Sequence, residues 1–139
     1  MSPELLKYIQ SQSRNKIVFF KNDIPNIKPL DVGSNLAMEI KPLLAESKVG
    51  MKSKFIIDEL FSKSIEESEL YGKYIALSNL GILFEPELKI DFANLLSKYS
   101  STNTLFVQWQ GEKDSENLYF LTKEKGQKID IKNLSHILI

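Results

Sequence analysis

Three short runs of apolar, β-branched and aromatic residues constrain the fold of this chain more than any other feature. The runs are Lys16–Phe20, Tyr74–Leu77 and Leu105–Trp109. Their nearly unbroken apolar character is typical of strands that are buried on both faces of a parallel sheet. Segments long enough to form helices separate the runs, as parallel strands require. The sequence therefore predicts a single three-layer α/β domain, residues 1–139, with a mostly parallel sheet.

Local signals place the helices between these strands. Pro3 suits the first position of a short helix at the start of the chain. Pro42 should end or kink a second helix, and apolar residues at helical spacing predict a third from about Lys52 to Ser64. Asp91 is expected to cap a fourth helix. A further strand is expected at Leu118–Thr122, and residues 129–139 are expected to form a tail with an apolar end.

The composition excludes several classes of function. Eighteen basic and eighteen acidic residues cancel, so no bulk charge favours nonspecific binding to nucleic acid or to an anionic membrane. The chain contains no cysteine, which excludes disulfides and thiolate metal sites. No apolar run approaches the length that spans a bilayer. We therefore expect a cytoplasmic protein that binds no cofactor and no membrane.

The segment after the first strand lacks the features of a phosphate-binding loop. Residues Lys21–Asn26 follow the strand, and no glycine occurs before Gly33. Without glycine, backbone amides cannot easily form the anion-binding turn that cradles phosphates at a helix N-terminus. Too few residues separate Phe20 from the segment that starts at Ile27 to leave room for the helix that should follow such a loop.

Several segments nevertheless share a pattern with one family of P-loop proteins. These segments are Asp31–Leu36, Tyr74–Asp91, Leu95–Ser97 and Asn103–Gly111. Together they resemble BrxF, the small P-loop protein of type 3 BREX phage-exclusion systems. The likeness covers roughly Ile27 to Thr122, and its specific parts are Leu77–Asp91 and Asn103–Gly111. This resemblance implies a P-loop NTPase-like domain in a prokaryotic antiviral defence system.

The chain departs from that family at the positions that carry its chemistry. A P-loop ATPase needs a Gly-Lys-Ser/Thr turn and an acidic Walker B residue that helps to hold Mg²⁺. The turn is missing here, and the Walker B position falls on Ser78, whose neutral hydroxyl cannot replace a carboxylate. Asn79 remains, and we interpret it as a turn residue rather than a ligand. The domain is therefore predicted to be a degenerate, noncatalytic one.

We predict that such a domain works as a subunit or adaptor that binds a larger protein of a defence complex, such as an ATPase or a nuclease. Contact with nucleic acid would then be indirect. Aromatic and apolar residues near the strand ends, with the tail 129–139 as a candidate partner-binding segment, are the expected interface. The candidates are Phe84, Leu83, Leu80, Trp109, Ile137 and Leu138.

Two alternatives belong to other functional classes. Glu87 and Lys89, with Asp58 upstream, match the short pattern of Mg²⁺-dependent nucleases, although Pro86 suits a central strand poorly. The apolar end Ile137–Ile139 could instead add to the sheet edge of a second copy, which would make the protein a self-associating structural protein and a homo-oligomer.

Overall fold

A computed structural model describes residues 3–46, 48–120 and 127–139 of the chain. The helices of the described part are α1 (Pro3–Ile9), α2 (Val32–Ile40), α3 (Val49–Lys63) and α4 (Phe92–Ser100). Its strands are β1 (Lys16–Phe20), β2 (Leu30–Asp31), β3 (Glu66–Ser68), β4 (Gly72–Ser78), β5 (Thr104–Gln108), β6 (Glu112–Lys113), β7 (Asn117–Phe120), β8 (Gln127–Asp130) and β9 (His136–Leu138). Single turns of 3-10 helix lie at Lys41–Leu43, Gly81–Phe84 and Pro86–Leu88.

The central sheet contains five parallel strands in the order β2-β4-β5-β1-β9, and β3 adds to the edge of β4 in the antiparallel direction. Leu105 of β5 lies between Ile17 of β1 and Ile75 of β4 in the register. The prediction of a mostly parallel sheet in an α/β domain is confirmed, and all three apolar runs supply its central strands.

Residues of the central strands alternate between two cores, as the strand period of two requires. Leu105 and Val107 of β5 contribute to a larger core under α2, α3 and α4. Phe106 points to a smaller core on the other face, where Leu5 and Ile9 of α1 lie. Because both faces of the strand are buried, its sequence has to be apolar at every position rather than at alternate ones.

The predicted helix signals act as expected. Asp91 Oδ1 accepts a hydrogen bond from Asn94 N at 3.1 Å and caps α4, and α2 ends at Ile40, two residues before Pro42. The third helix, α3, starts at Val49, slightly before the predicted start. With fifteen residues α3 is the longest described helix, and none of the described helices has both the length and the hydropathy of a bilayer-spanning segment.

The strand predicted at Leu118–Thr122 does not join the central sheet. It lies at Asn117–Phe120 as β7, the middle strand of a separate antiparallel sheet with β6 and β8, and Thr122 is outside the described residues. Only a short turn region separates β7 from β5. A parallel strand would need a crossover of a dozen or more residues, so the chain turns back on itself instead.

The C-terminal segment 129–139 is folded into the domain rather than hanging from it as a tail. Ile129 and Ile131 are buried in the larger core. Strand β9 pairs in parallel with β1, with Ile137 opposite Val18. The apolar character that suggested a tail thus arises from packing and from strand pairing at the edge of the sheet.

Phe106→Ala should strongly destabilise the domain. Its ring is fully buried and lies edge-on to the rings of Tyr71 and Tyr74, so its removal leaves a cavity on the smaller core. We expect the free energy of unfolding to fall by about 3–5 kcal/mol in urea denaturation. The control Phe55→Ala, on a side chain that is 71% exposed, should change it by only about 0.5 kcal/mol. Equal losses in the two variants would contradict this assignment of the core.

Candidate functional site

The carboxyl edge of the parallel sheet is the place where α/β domains bind ligands, and here the loop after β1 occupies part of it. Residues 21–29 run from β1 to β2 through turns without a helix. Ile24 and Ile27 of this loop are buried, and Gln108 Nε2 donates to the carbonyl of Lys21 at 3.0 Å. The end of β1 therefore offers no helix N-terminus to a phosphate group.

Asn79 joins the end of β4 to the start of α2. It has a left-handed backbone, with φ of 54°, and its side-chain Nδ2 donates to Asp31 Oδ1 at 2.8 Å. Its carbonyl accepts from Gly33 N at 3.0 Å. The Asp31 carboxylate also accepts from Ser34 N, and this bond, followed by the one from Asn79, lowers the pKa of Asp31. Asn79 thus has a structural role at a turn.

Ser78, which the resemblance would place at the Walker B position, forms hydrogen bonds within the sheet. Its hydroxyl donates to the carbonyl of Leu30 at 3.2 Å, and its backbone pairs with Asp31 of β2. The neighbouring carboxylate of Asp31 is exposed and serves as the N-cap of α2. At the end of β4, Ser78 thus supplies a neutral hydroxyl that is already hydrogen-bonded to β2.

An aromatic cleft of about 390 Å³ opens beside these strand ends. The Phe84 ring stacks on Phe120 with a centroid distance of 4.3 Å and contacts Phe92 and Trp109 at 4.9 and 5.9 Å. The lining contains amide side chains and no charged group. The lining residues are Asn79, Leu80, Gly81, Phe84, Gln108, Trp109, Gln110, Gly111, Tyr119 and Phe120.

Three of the six predicted interface residues are core residues in the folded domain. Leu83 is 1% exposed, Trp109 4% and Leu80 6%, so a partner that docks on the folded domain cannot use them as its main contacts. The 3-10 turn Gly81–Phe84 directs Leu83 into the larger core. Phe84 is half-buried and packs against that core, which makes it part of the aromatic cluster instead of a free side chain.

The remaining two predicted interface residues lie on β9. Ile137 and Leu138 are half-buried and each packs against one of the two cores. His136 on the same strand lies edge-on to Phe19 with ring centroids 5.7 Å apart. Ile139, which follows β9, is 40% exposed. Their predicted role in binding a partner is thus restricted to the outer edge of β9.

The residues of the nuclease alternative are only partly brought together. Asp58 and Lys89 line a cavity of about 210 Å³ between α3 and α4, but Glu87 does not line it. Within the described ranges no group of three or more histidine, cysteine or acidic side chains could hold a metal ion. The sequence pattern Glu87-Leu88-Lys89 is therefore not assembled with Asp58 into a metal site.

Asp58 is instead bound by two side chains of α4. Its Oδ1 accepts hydrogen bonds from Lys98 Nζ at 2.9 Å and from the Tyr99 hydroxyl. Burial raises the pKa of Asp58, but the bonds from Tyr99 and Lys98 outweigh it and lower the pKa overall. Burial and then the carboxylate raise the pKa of the Tyr99 hydroxyl. This triad joins α3 to α4.

The sequence interpretation missed the most exposed apolar side chains. Met38 on α2 is 84% exposed, and Met51 and Phe55 on α3 are 72% and 71% exposed. The four-residue spacing of Met51 and Phe55 puts them on one side of α3, away from the face that carries Ile57. That spacing was readable from the sequence, but it marks a surface only once the buried face is known.

Comparisons with known proteins found no relative of this chain. No protein-family model matches the chain, and neither a curated protein nor a solved structure matches it.

Gly33→Ala should destabilise the domain through Asn79. The added methyl would lie 2.4 Å from Asn79 Nδ2, so we expect a loss of about 1–3 kcal/mol of unfolding free energy. Asn79→Gly tolerates the left-handed backbone but loses the bond to Asp31, which costs about 1 kcal/mol. The double variant removes the two closest contacts of the methyl and keeps only the one with the backbone oxygen of residue 79 at 3.2 Å, so urea denaturation should show a loss smaller than the sum by at least about 0.5 kcal/mol. Additive losses would contradict the contact.

Tyr99→Phe should reduce the alkaline sensitivity of the fold. The unfolded chain releases the Tyr99 proton near its ordinary pKa of 10.0, whereas the folded chain retains it to higher pH. The raised pKa therefore stabilises the folded state fully below the ordinary pKa of 10.0, and this stabilisation is lost as the pH rises from there through the raised pKa. Urea denaturation at a series of pH values should therefore show a shallower fall above about pH 10 for Tyr99→Phe than for the wild type. Identical slopes would disprove the raised pKa.

Proposed function

We propose that this protein is a noncatalytic subunit or adaptor of a prokaryotic antiviral defence complex, and that it acts by binding a larger protein subunit. Its domain would be a degenerate P-loop-like one. The association with antiviral defence rests on the resemblance of Leu77–Asp91 and Asn103–Gly111 to BrxF. The binding role rests on a surface of α3.

The geometry of the sheet supports the likeness to a P-loop domain. β1 and β4 are the strands after which the resemblance places the phosphate loop and the Walker B residue. They are parallel, end at the same sheet edge and are separated by β5 alone. Because one fold can host many functions, this arrangement supports the fold and not an activity. The loop 21–29 and Ser78 supply neither the amide nest nor the carboxylate of an ATPase.

The observation that carries the binding role is the exposed pair Met51 and Phe55. Both side chains are more than two-thirds exposed, and they share one side of α3. Isolated apolar residues on a surface are ordinary, but large aromatic and methionine side chains are enriched where proteins bind each other. Phe55 replaces Phe84 as our proposed anchor, because Phe84 is already packed against three aromatic rings.

The charges around this pair indicate the chemistry of the partner. Lys48, Lys52 and Lys54 lie around this pair, and within the described part of the chain Lys52 forms an ion pair with Glu46 at 3.4 Å, whereas Lys48 and Lys54 form none. Cations at a helix N-terminus oppose the helix dipole. In addition, Lys48 stands at the N-cap with a φ of 62°, and its side chain makes no capping bond. The start of α3 therefore lacks both a side-chain cap and a favourable charge in this domain. An acidic and apolar segment of a partner would complement both its charge and Phe55.

Phe55→Ala should weaken binding to the partner without unfolding the domain. Tagged wild-type chain, purified from its native host, should bring down a larger subunit that mass spectrometry identifies. Calorimetry with that purified subunit should then give a loss of about 2 kcal/mol for Phe55→Ala, or roughly 30-fold in Kd. Leu70→Ala is the matched control, because Leu70 is also exposed, at 49%, but lies in the turn between β3 and β4.

Several results would contradict the proposal. Equal affinities of Phe55→Ala and the wild type would remove α3 from the interface. ATP hydrolysis or Mg²⁺-dependent cleavage of nucleic acid by the purified chain would show an enzyme instead of an adaptor. Recovery of further copies of this chain alone, with a dimer in analytical ultracentrifugation, would favour the self-associating alternative.

A further inference from the structure

A second cleft lies at the opposite edge of the central sheet, where β1, β4 and β5 begin. It has a volume of about 340 Å³, and its lining combines three cationic side chains with several hydroxyl groups and no carboxylate. The cations are Arg14, Lys16 and Lys73. The hydroxyl-bearing residues are Ser13, Tyr71, Ser100, Ser101, Thr102 and Thr104.

This composition differs from that of the cavity between α3 and α4. That cavity also contains three lysines, but Asp58 and Asp91 line it with them, and one of its lysines, Lys98, is paired with Asp58. The aromatic cleft, in contrast, contains no charged side chain. Of these three clefts, the one at the start of the strands is thus lined by charged side chains of one sign, all of them positive.

None of the three cations of this cleft forms an ion pair with a described carboxylate. Lys16 Nζ donates to the carbonyl of Ile9, which holds the side chain in place but carries no net charge. Lys73 lies opposite Glu67 in the register of β3 and β4, yet Glu67 does not line the cleft and no ion pair joins the two. Arg14 is exposed and also forms no ion pair within the described part of the chain.

The helix end beside the cleft does not account for these cations. Basic residues are common at helix C-termini because they interact with the last carbonyl groups. At the end of α4, neutral side chains serve those carbonyls: Asn15 donates to Ser97 O at 3.3 Å, and Ser101 donates to Lys98 O at 3.0 Å. Arg14, Lys16 and Lys73 are therefore not needed to satisfy the helix end.

We propose that this cleft binds a phosphate group, carried either by a nucleic acid backbone or by a small phosphorylated compound. Arginine binds two phosphate oxygens with its planar fork, and lysine adds a point charge. The hydroxyl of Thr102, which accepts a bond from Asn103 Nδ2 at 3.3 Å, keeps its hydrogen free to donate to a third oxygen. This site is separate from the proposed protein-binding surface on α3.

The test uses pyrophosphate and a short single-stranded oligonucleotide as probes. Amide resonances of the lining residues should shift on titration with pyrophosphate, and fluorescence anisotropy should measure binding of the oligonucleotide. The variant Arg14→Gln/Lys73→Gln should bind at least about tenfold more weakly, because two charge-assisted contacts are lost. Both side chains are exposed, so folding should persist. The control Lys128→Gln/Lys132→Gln removes the same charge from exposed positions outside the cleft.

The outcomes identify the source of the phosphate. Binding of the oligonucleotide, displaced by pyrophosphate and with a slope of about −2 in log K against log salt, would assign a nucleic acid backbone held by three cations. Binding of pyrophosphate alone would assign a small phosphorylated ligand. Lack of binding of either probe, or an equal loss in the cleft variant and in the control variant, would overturn the proposal.

Discussion

Strand β5 pairs with β1 on one side and with β4 on the other. The positions of the other elements of this domain depend on these two pairings. These three strands bring Ile17, Leu105 and Ile75 into one row across the sheet, and helices and loops cover both of its faces. Parallel strands all begin at one edge of a sheet and all end at the other. The pairing therefore creates two distinct edges, and the loops at each edge determine what that edge can bind.

The two edges have opposite chemistry. At the carboxyl edge, the loop 21–29 and the contact of Asn79 with Asp31 use the available polar groups internally, and the neighbouring cleft is aromatic and uncharged. At the amino edge, neutral side chains satisfy the end of α4, and cations line the adjacent cleft. The edge at which the family resemblance would place a phosphate site thus has an uncharged cleft, whereas the opposite edge carries the positive charge on which the proposed phosphate site depends.

Helix α3 links the fold to the proposed function, because one side of the helix packs in the core and another carries the proposed binding surface. Ile57 and Phe61 anchor it in the larger core, and Asp58 ties it to α4 through Lys98 and Tyr99. These contacts hold Phe55 at a defined position on the surface. An aromatic side chain has few rotatable bonds and therefore loses little conformational entropy when a partner covers it.

Local sequence determined those features that depend on neighbours along the chain. The runs around Ile75 and Phe106 had to be buried strands because no polar residue interrupts them. Asp91 and Pro42 set helix boundaries through their own hydrogen bonding and ring geometry. The lack of glycine between Phe20 and Gly33 predicted that no phosphate loop follows β1, because a chain without glycine cannot easily adopt the required backbone.

Outside these central strands, tertiary structure alone decided which apolar residues are covered. Phe84 and Phe55 are the same residue type, but Phe84 meets the ring of Phe120 and Phe55 meets solvent. Ile137 belongs to an edge strand because β1 offers it a free side. Burial depends on which distant segments arrive at a given place, and no pattern within a short stretch of sequence contains that information.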